Sequence, residues 1–123
     1  MLTGMSDVTV FHNPACSTSR YAVDEVAGLD VEVVQYLKKP LDKSALLDLM
    51  SKLEDQPAEL VRKDSYFKQL GLRADDYVTP EAVADLLVKH PRLMQRPVLV
   101  RADAAIIGRP KDRVAAFVAG AEQ

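Results

Sequence analysis

Three residues separate two apolar segments near the end of the chain, Val98–Val100 and Ala104–Ile107. Strands joined so tightly leave no room for a crossover, so they must pair antiparallel. The start of the chain is different. Val8–His12 (VTVFH) and Val31–Tyr36 (VEVVQY) are rich in the β-branched and aromatic types that favour strands. The stretch between them is long enough for a helix. A strand, a crossover helix and a second strand pair in parallel through a right-handed connection. A sheet that holds both pairs is therefore mixed, with about four strands.

The helical signals fill the remaining chain. Asn13-Pro14 breaks the first strand, and a helix is expected from Ser17 to about Ala27, with Gly28 as its stop. Leu37–Pro40, with Lys38 and Lys39, reads as a wet turn. Between Asp42 and Leu53 the apolar residues Ala45, Leu46, Leu49, Met50 and Leu53 recur at helical spacing, with Asp42 as N-cap. Pro57–Lys63 reads as a short helix, and Tyr66–Leu70 as another closed by Gly71. Thr79-Pro80-Glu81 combines a hydroxyl cap, a first-turn proline and an early carboxylate. That helix should run to about His90 and bury Val83, Leu86 and Leu87. Asp103-Ala104 gives a weak turn signal between the last two strands. Gly108-Arg109-Pro110 leads into a final helix, Lys111 to about Ala119, with Val114, Phe117 and Val118 inward.

The order β-α-β, helical segment, β-β-α gives an α/β fold with helices on both faces of the sheet. This is a thioredoxin-like arrangement with a helical insertion, about residues 42–90, between its halves. A chain of 123 residues fits one domain, 1–123. Residues 1–6 are expected to be a tail, with Met5 as a second candidate initiator.

The charge balance of 16 basic to 18 acidic residues lacks the basic excess of a nucleic-acid binder. No apolar run approaches the ~18 residues of a membrane span, and no secretory signal opens the chain. Cys16 is the single cysteine, so no intrachain disulfide can form, and a reducing cytoplasm is the expected setting. Any redox chemistry at Cys16 must borrow an external thiol.

Cys16 lies in HNPACSTSR, where a strand gives way to a helix. The unpaired N–H groups of a first helical turn favour a thiolate. His12, four residues before, and Arg20, four after, are candidates to add positive charge. Ser17 and Ser19 flank the thiol on the same turn. Arg96 and Arg109 each precede a proline beside a strand, and Arg62 ends a short helix. Three guanidinium groups from distant segments can converge on a tetrahedral oxyanion, each with a planar fork of donors. Arg73, Arg92, Arg101 and Arg113 read as solvated surface residues, and Asp75-Asp76 as a solvated loop. Tyr36, Phe67 and Tyr77 read as core or half-buried. One cysteine and two histidines, His12 and His90, do not make a metal site.

HNPACSTSR, LVRK, QRPVLV and IGRPKDRV, in this order, resemble the glutaredoxin-coupled arsenate reductases, the ArsC type. The resemblance runs from about Val8 to Val118. It implies a thioredoxin-like fold with a helical insertion and reduction of arsenate to arsenite, an arsenic detoxification reaction. It assigns Cys16 as the nucleophile on arsenic, His12 as the residue lowering its pKa, and Arg62, Arg96 and Arg109 as oxyanion ligands. Glutathione is the implied co-substrate and glutaredoxin the implied partner, with no bound cofactor. Two other readings of the same residues stand beside it. One keeps the Cys16 chemistry on a different substrate, a glutathionylated protein or a small disulfide. The other is an Spx-type regulator that binds RNA polymerase, whose usual C-x-x-C switch is lacking here because Ser19 holds its second position.

Overall fold

In a computed structural model, which describes residues 7–119, the four expected strands form one sheet. They are β1 (Val8–His12), β2 (Val31–Gln35), β3 (Val98–Arg101) and β4 (Ala104–Ile107), in the order β2-β1-β3-β4. β1 and β2 are parallel and β3 and β4 antiparallel, as their connections require. β1 also pairs antiparallel with β3, Phe11 opposite Val98. The expected tail at 1–6 lies outside the described residues.

Side chains alternate between the two faces of the sheet, as a pleated strand demands. Val8, Val10, Leu99 and Ile106 pack against α1 (Ser17–Glu25) and α5 (Asp112–Val118) through Ala22, Val114 and Val118, joined by Val26 at the C-cap of α1. Phe11, Val98, Val100, Ala105 and Ile107 face the inserted segment. There α2 (Lys43–Lys52) presents Leu46, Leu49 and Met50, and α4 (Pro80–Lys89) presents Val83, Leu86 and Leu87. Each such fully buried side chain contributes about 1.5–3 kcal/mol. Packing of this size is what holds α3 (Ser65–Gln69), too short to persist alone, by its buried Phe67. Among the described residues no helix is long and apolar enough to cross a membrane.

Several local readings change. Asp42 and Thr79 cap α2 and α4 as expected, accepting from the Ala45 and Ala82 N–H groups. Ala45, expected on the apolar face, is exposed. α1 ends at Glu25, ahead of Gly28, in a run of turns from Ala22 to Leu29. α3 begins at Ser65 because Asp64 caps it by accepting from Phe67 N–H. Gly71, at φ 72°, closes it in the left-handed region that favours glycine. The helix expected over Pro57–Lys63 is a 3-10 turn ending at Leu60. Val61 is extended and bridges Met94, because backbone bonds from Gln95 N–H to Leu60 O and from Arg62 N–H to Leu93 O compete successfully with another helical turn. Asp75-Asp76 sits in a 3-10 turn, Ala74–Asp76, and a third such turn spans Pro91–Leu93.

Gly108 connects the sheet to the segment bearing Arg109. A Cβ there would stand 2.9 Å from Pro97 Cγ, 3.0 Å from Leu99 Cδ1 and 3.1 Å from Val114 Cγ2. Gly108→Ala should therefore destabilise the fold by about 1–3 kcal/mol through overpacking. Urea titration should show a lower midpoint with an unchanged slope; a wild-type midpoint would contradict this packing.

Candidate active site

The turn after β1 is built by Asn13. Its carbonyl accepts from Cys16 N–H at 3.0 Å, and its side-chain Oδ1 accepts from Ala15 N–H at 2.9 Å. Asn13 N–H donates to Ser19 Oγ at 3.0 Å. The same hydroxyl shares a 2.7 Å hydrogen bond with His12 Nδ1. Ser19 is fully buried, so these bonds meet polar groups that water does not reach. They fix Cys16 at the N-cap of α1, half-buried.

Partial burial alone would push the Cys16 thiol up, but four groups outweigh it and hold it below the ordinary thiol value. These are the Ser19 backbone N–H, the Arg96 guanidinium, the charge of Arg109 and the Thr18 backbone N–H. Arg109 Nη2 donates to Cys16 Sγ at 3.2 Å. Its Nε donates to Arg96 O at 2.8 Å, which fixes the two arginine segments to each other. Arg96 Nη1 donates to Arg92 O at 3.3 Å, while its Nε is buried without a partner among the described residues. The peptide bonds Arg96–Pro97 and Arg109–Pro110 are both cis.

The sheet explains this convergence. β1 runs toward Cys16, and β3, antiparallel to it, begins beside β1's end, so Arg96 arrives at the thiol. β4 ends beside the start of β3, Ile107 opposite Val98, and delivers Arg109 to the same place.

The other expected residues take different positions. Burial, with the charge of Arg20, lowers the His12 pKa and favours its neutral form. A neutral His12 brings no charge to the sulfur, and the cations that act there are Arg96 and Arg109. His12 instead holds Ser19. Arg20 is exposed and donates to Pro14 O at 2.8 Å. Ser17 is exposed at the start of α1. Arg62 follows an extended bridge residue instead of ending a helix, and its Nε donates to Asp64 Oδ2 at 3.3 Å. It is not among the groups acting on the sulfur, although its charge is felt at Tyr36.

Three features escape a reading of the sequence. Tyr36 belongs to the core as expected, but its hydroxyl donates to Met94 O at 3.3 Å and meets the Arg96 guanidinium and the Asn13 amide. It ties the Cys16 turn to the Arg96 segment. Arg113, read as solvated, donates to Asp55 Oδ1 at 2.8 Å. Arg101, also read as solvated, donates to Phe117 O at 3.2 Å and lies over the Phe117 ring. Alternating apolar residues in the last strands gave no sign of these distant partners.

With its pKa lowered, Cys16 should carry a thiolate at pH values where an ordinary cysteine is protonated. Alkylation by iodoacetamide should reach half-maximal rate below the usual ~8.5. Arg109→Ala should raise that midpoint, and His12→Gln should raise it less. The reverse ranking would return the electrostatic role to His12.

Comparison with known proteins finds relatives that match nearly the whole chain. The ArsC family profile matches residues 11–117. An arsenate reductase of Neisseria meningitidis is 39% identical, over 93% of this chain and all of its own length. The Escherichia coli K12 protein YfgD, whose function is uncharacterized, is 40% identical, over 90% of this chain and 96% of its own. The solved structure of an arsenate reductase from Vibrio cholerae superposes with a TM-score of 0.79 at 27% identity, covering 92% of this chain and 98% of that one.

Proposed function

The chain belongs to the ArsC family, and from that premise we propose that it reduces arsenate to arsenite with glutathione and glutaredoxin as electron donors. The observation that carries the reading is the Arg109 guanidinium 3.2 Å from Cys16 Sγ, with Arg96 also facing the sulfur. A nucleophile flanked by two planar cationic forks suits a tetrahedral oxyanion better than a neutral disulfide. The buried Arg96 Nε adds a donor without a partner among the described residues. A cavity of about 320 Å³ flanks Arg109. Lys63, Arg113, Asp55 and Glu59 give it a mixed-charge lining that suits a small zwitterionic peptide thiol.

In this mechanism the Cys16 thiolate attacks arsenic(V), and one oxygen leaves as water after protonation. Arsenic stays pentavalent in the thiolate adduct, and Arg96 and Arg109 balance the charge on its remaining oxygens. Glutathione replaces a second oxygen in the same way. A glutaredoxin thiolate then attacks the glutathione sulfur. The S–As electron pair stays on arsenic, which becomes trivalent, and a glutaredoxin–glutathione disulfide forms. Water displaces Cys16 from arsenic(III), releasing arsenite and the thiolate. Both reducing thiols come from outside, in keeping with a chain that has one cysteine. The Arg62 contact with Asp64 uses Nε, so oxyanion binding by Arg62 would fall to its Nη1 and Nη2 donors.

The test is arsenate-dependent NADPH oxidation with glutathione, glutaredoxin and glutathione reductase supplied. Turnover should require both arsenate and Cys16, and Cys16→Ser should abolish it. Arg96→Lys keeps the charge but loses the fork, so kcat/KM should fall about ten- to a hundredfold. A folded wild-type protein with an alkylatable low-pKa thiol but no arsenate-dependent turnover would remove arsenate and leave an oxidised thiol as the substrate class.

A further inference from the structure

Arg109 is held from behind by two residues that do not touch the sulfur. Leu53 bridges Ala105 in parallel and Glu54 N–H donates to Ala105 O at 2.8 Å, so the end of α2 continues along the outer edge of β4. Regular pairing stops there. At the next step Asp55 Oδ2 accepts from Ile107 N–H at 3.0 Å, a side chain taking the place of a strand carbonyl. Its other oxygen accepts from Arg113 Nη1 at 2.8 Å. The second hydrogen of that nitrogen goes to Ile107 O at 2.9 Å, with Arg109 O a weaker, shared acceptor at 3.4 Å. Gly108 N–H is bound by Pro97 O at 2.8 Å. The backbone from Ile107 to Arg109 is thus fixed on both sides, and the Arg109 side chain leaves this fixed base to meet Cys16.

We infer that the Asp55–Arg113 ion pair is a positioning device that aims Arg109 at Cys16, linking the inserted segment to the thiol. The inference rests on the reading of Cys16 as a reactive thiolate. The geometry favours a real energetic role. The Asp55 side chain is 13% exposed and that of Arg113 31%, so the pair is screened far less than the surface contacts of Lys43 with Glu81 and Asp85. Asp55 also satisfies a backbone N–H at the sheet edge, so its loss leaves both an arginine and an amide without their partner. A sheet-edge seal alone would affect folding stability. A positioning device also changes the sulfur, and only through Arg109.

The test is the pH midpoint of Cys16 alkylation in Arg113→Met and Asp55→Asn, each alone and combined with Arg109→Ala, alongside the thermal midpoint of each protein. Asp55→Asn keeps an acceptor for Ile107 N–H and so guards against a variant that fails to fold. Each single variant should raise the alkylation midpoint by roughly half a unit to one unit. Neither should raise it further in the Arg109→Ala background, because coupled residues do not add. Wild-type midpoints in both single variants, or equal shifts with and without Arg109, would overturn the inference and leave a purely structural pair. A wild-type protein whose thiol titrates at the ordinary value would instead overturn the thiolate reading beneath it.

Discussion

The first turn of a helix has N–H groups with no carbonyl to receive them, and the organisation of this site follows from where α1 puts those groups. Cys16 occupies the N-cap position, so its sulfur stands where a capping oxygen would. The Thr18 and Ser19 amides therefore meet a polarisable sulfur. The competition at the sulfur is between partial burial, which favours the neutral thiol, and a set of dipoles and cations, which favours the thiolate. The second set wins only because several members act together. Asn13, Ser19 and His12 keep the turn in place; none of them needs charge to do so.

Cations reach this turn by topology. β1 lies inside the sheet between β2 and β3, and the antiparallel partners β3 and β4 begin and end at the level where β1 finishes. Arg96 and Arg109, thirteen positions apart, thus become neighbours, joined by the bond from Arg109 Nε to Arg96 O. Tyr36, just beyond β2, completes the base of the site from the opposite side. The inserted segment contributes through Leu53, Glu54 and Asp55 along β4 and through Val61 beside Met94. It covers the edge of the sheet while supporting the arginine segments.

The parts of this architecture that depend on local chemistry were legible in the residues. Strand segments, the Asp42 and Thr79 caps, the left-handed Gly71 and the placement of Cys16 between strand and helix all follow from neighbours within a few positions. The last hairpin was harder. Its turn residue Ala102 takes φ 56° without being glycine, so the strongest turn signal was missing. Pairing across long separations was not legible. Arg113 looks like any surface arginine until Asp55, 58 positions away, is beside it. Its closeness to Cys16 in sequence suggests a cationic His12, but burial and a hydrogen bond to Ser19 give it another task. Local sequence suggests a helix at Arg62, because the competing bridge to residues 93–95 comes from a distant segment.

The central claim is that Cys16, Arg96 and Arg109 form one site for arsenate, with sulfur as the atom that bonds to arsenic. Arsenic anomalous scattering from a crystal of the reduced protein exposed to arsenate tests this directly. The expected result is one arsenic peak at covalent distance from Cys16 Sγ, with its oxygens on the Arg96 and Arg109 guanidinium groups. An arsenic peak elsewhere, or none in a crystal whose Cys16 remains reduced, would contradict it.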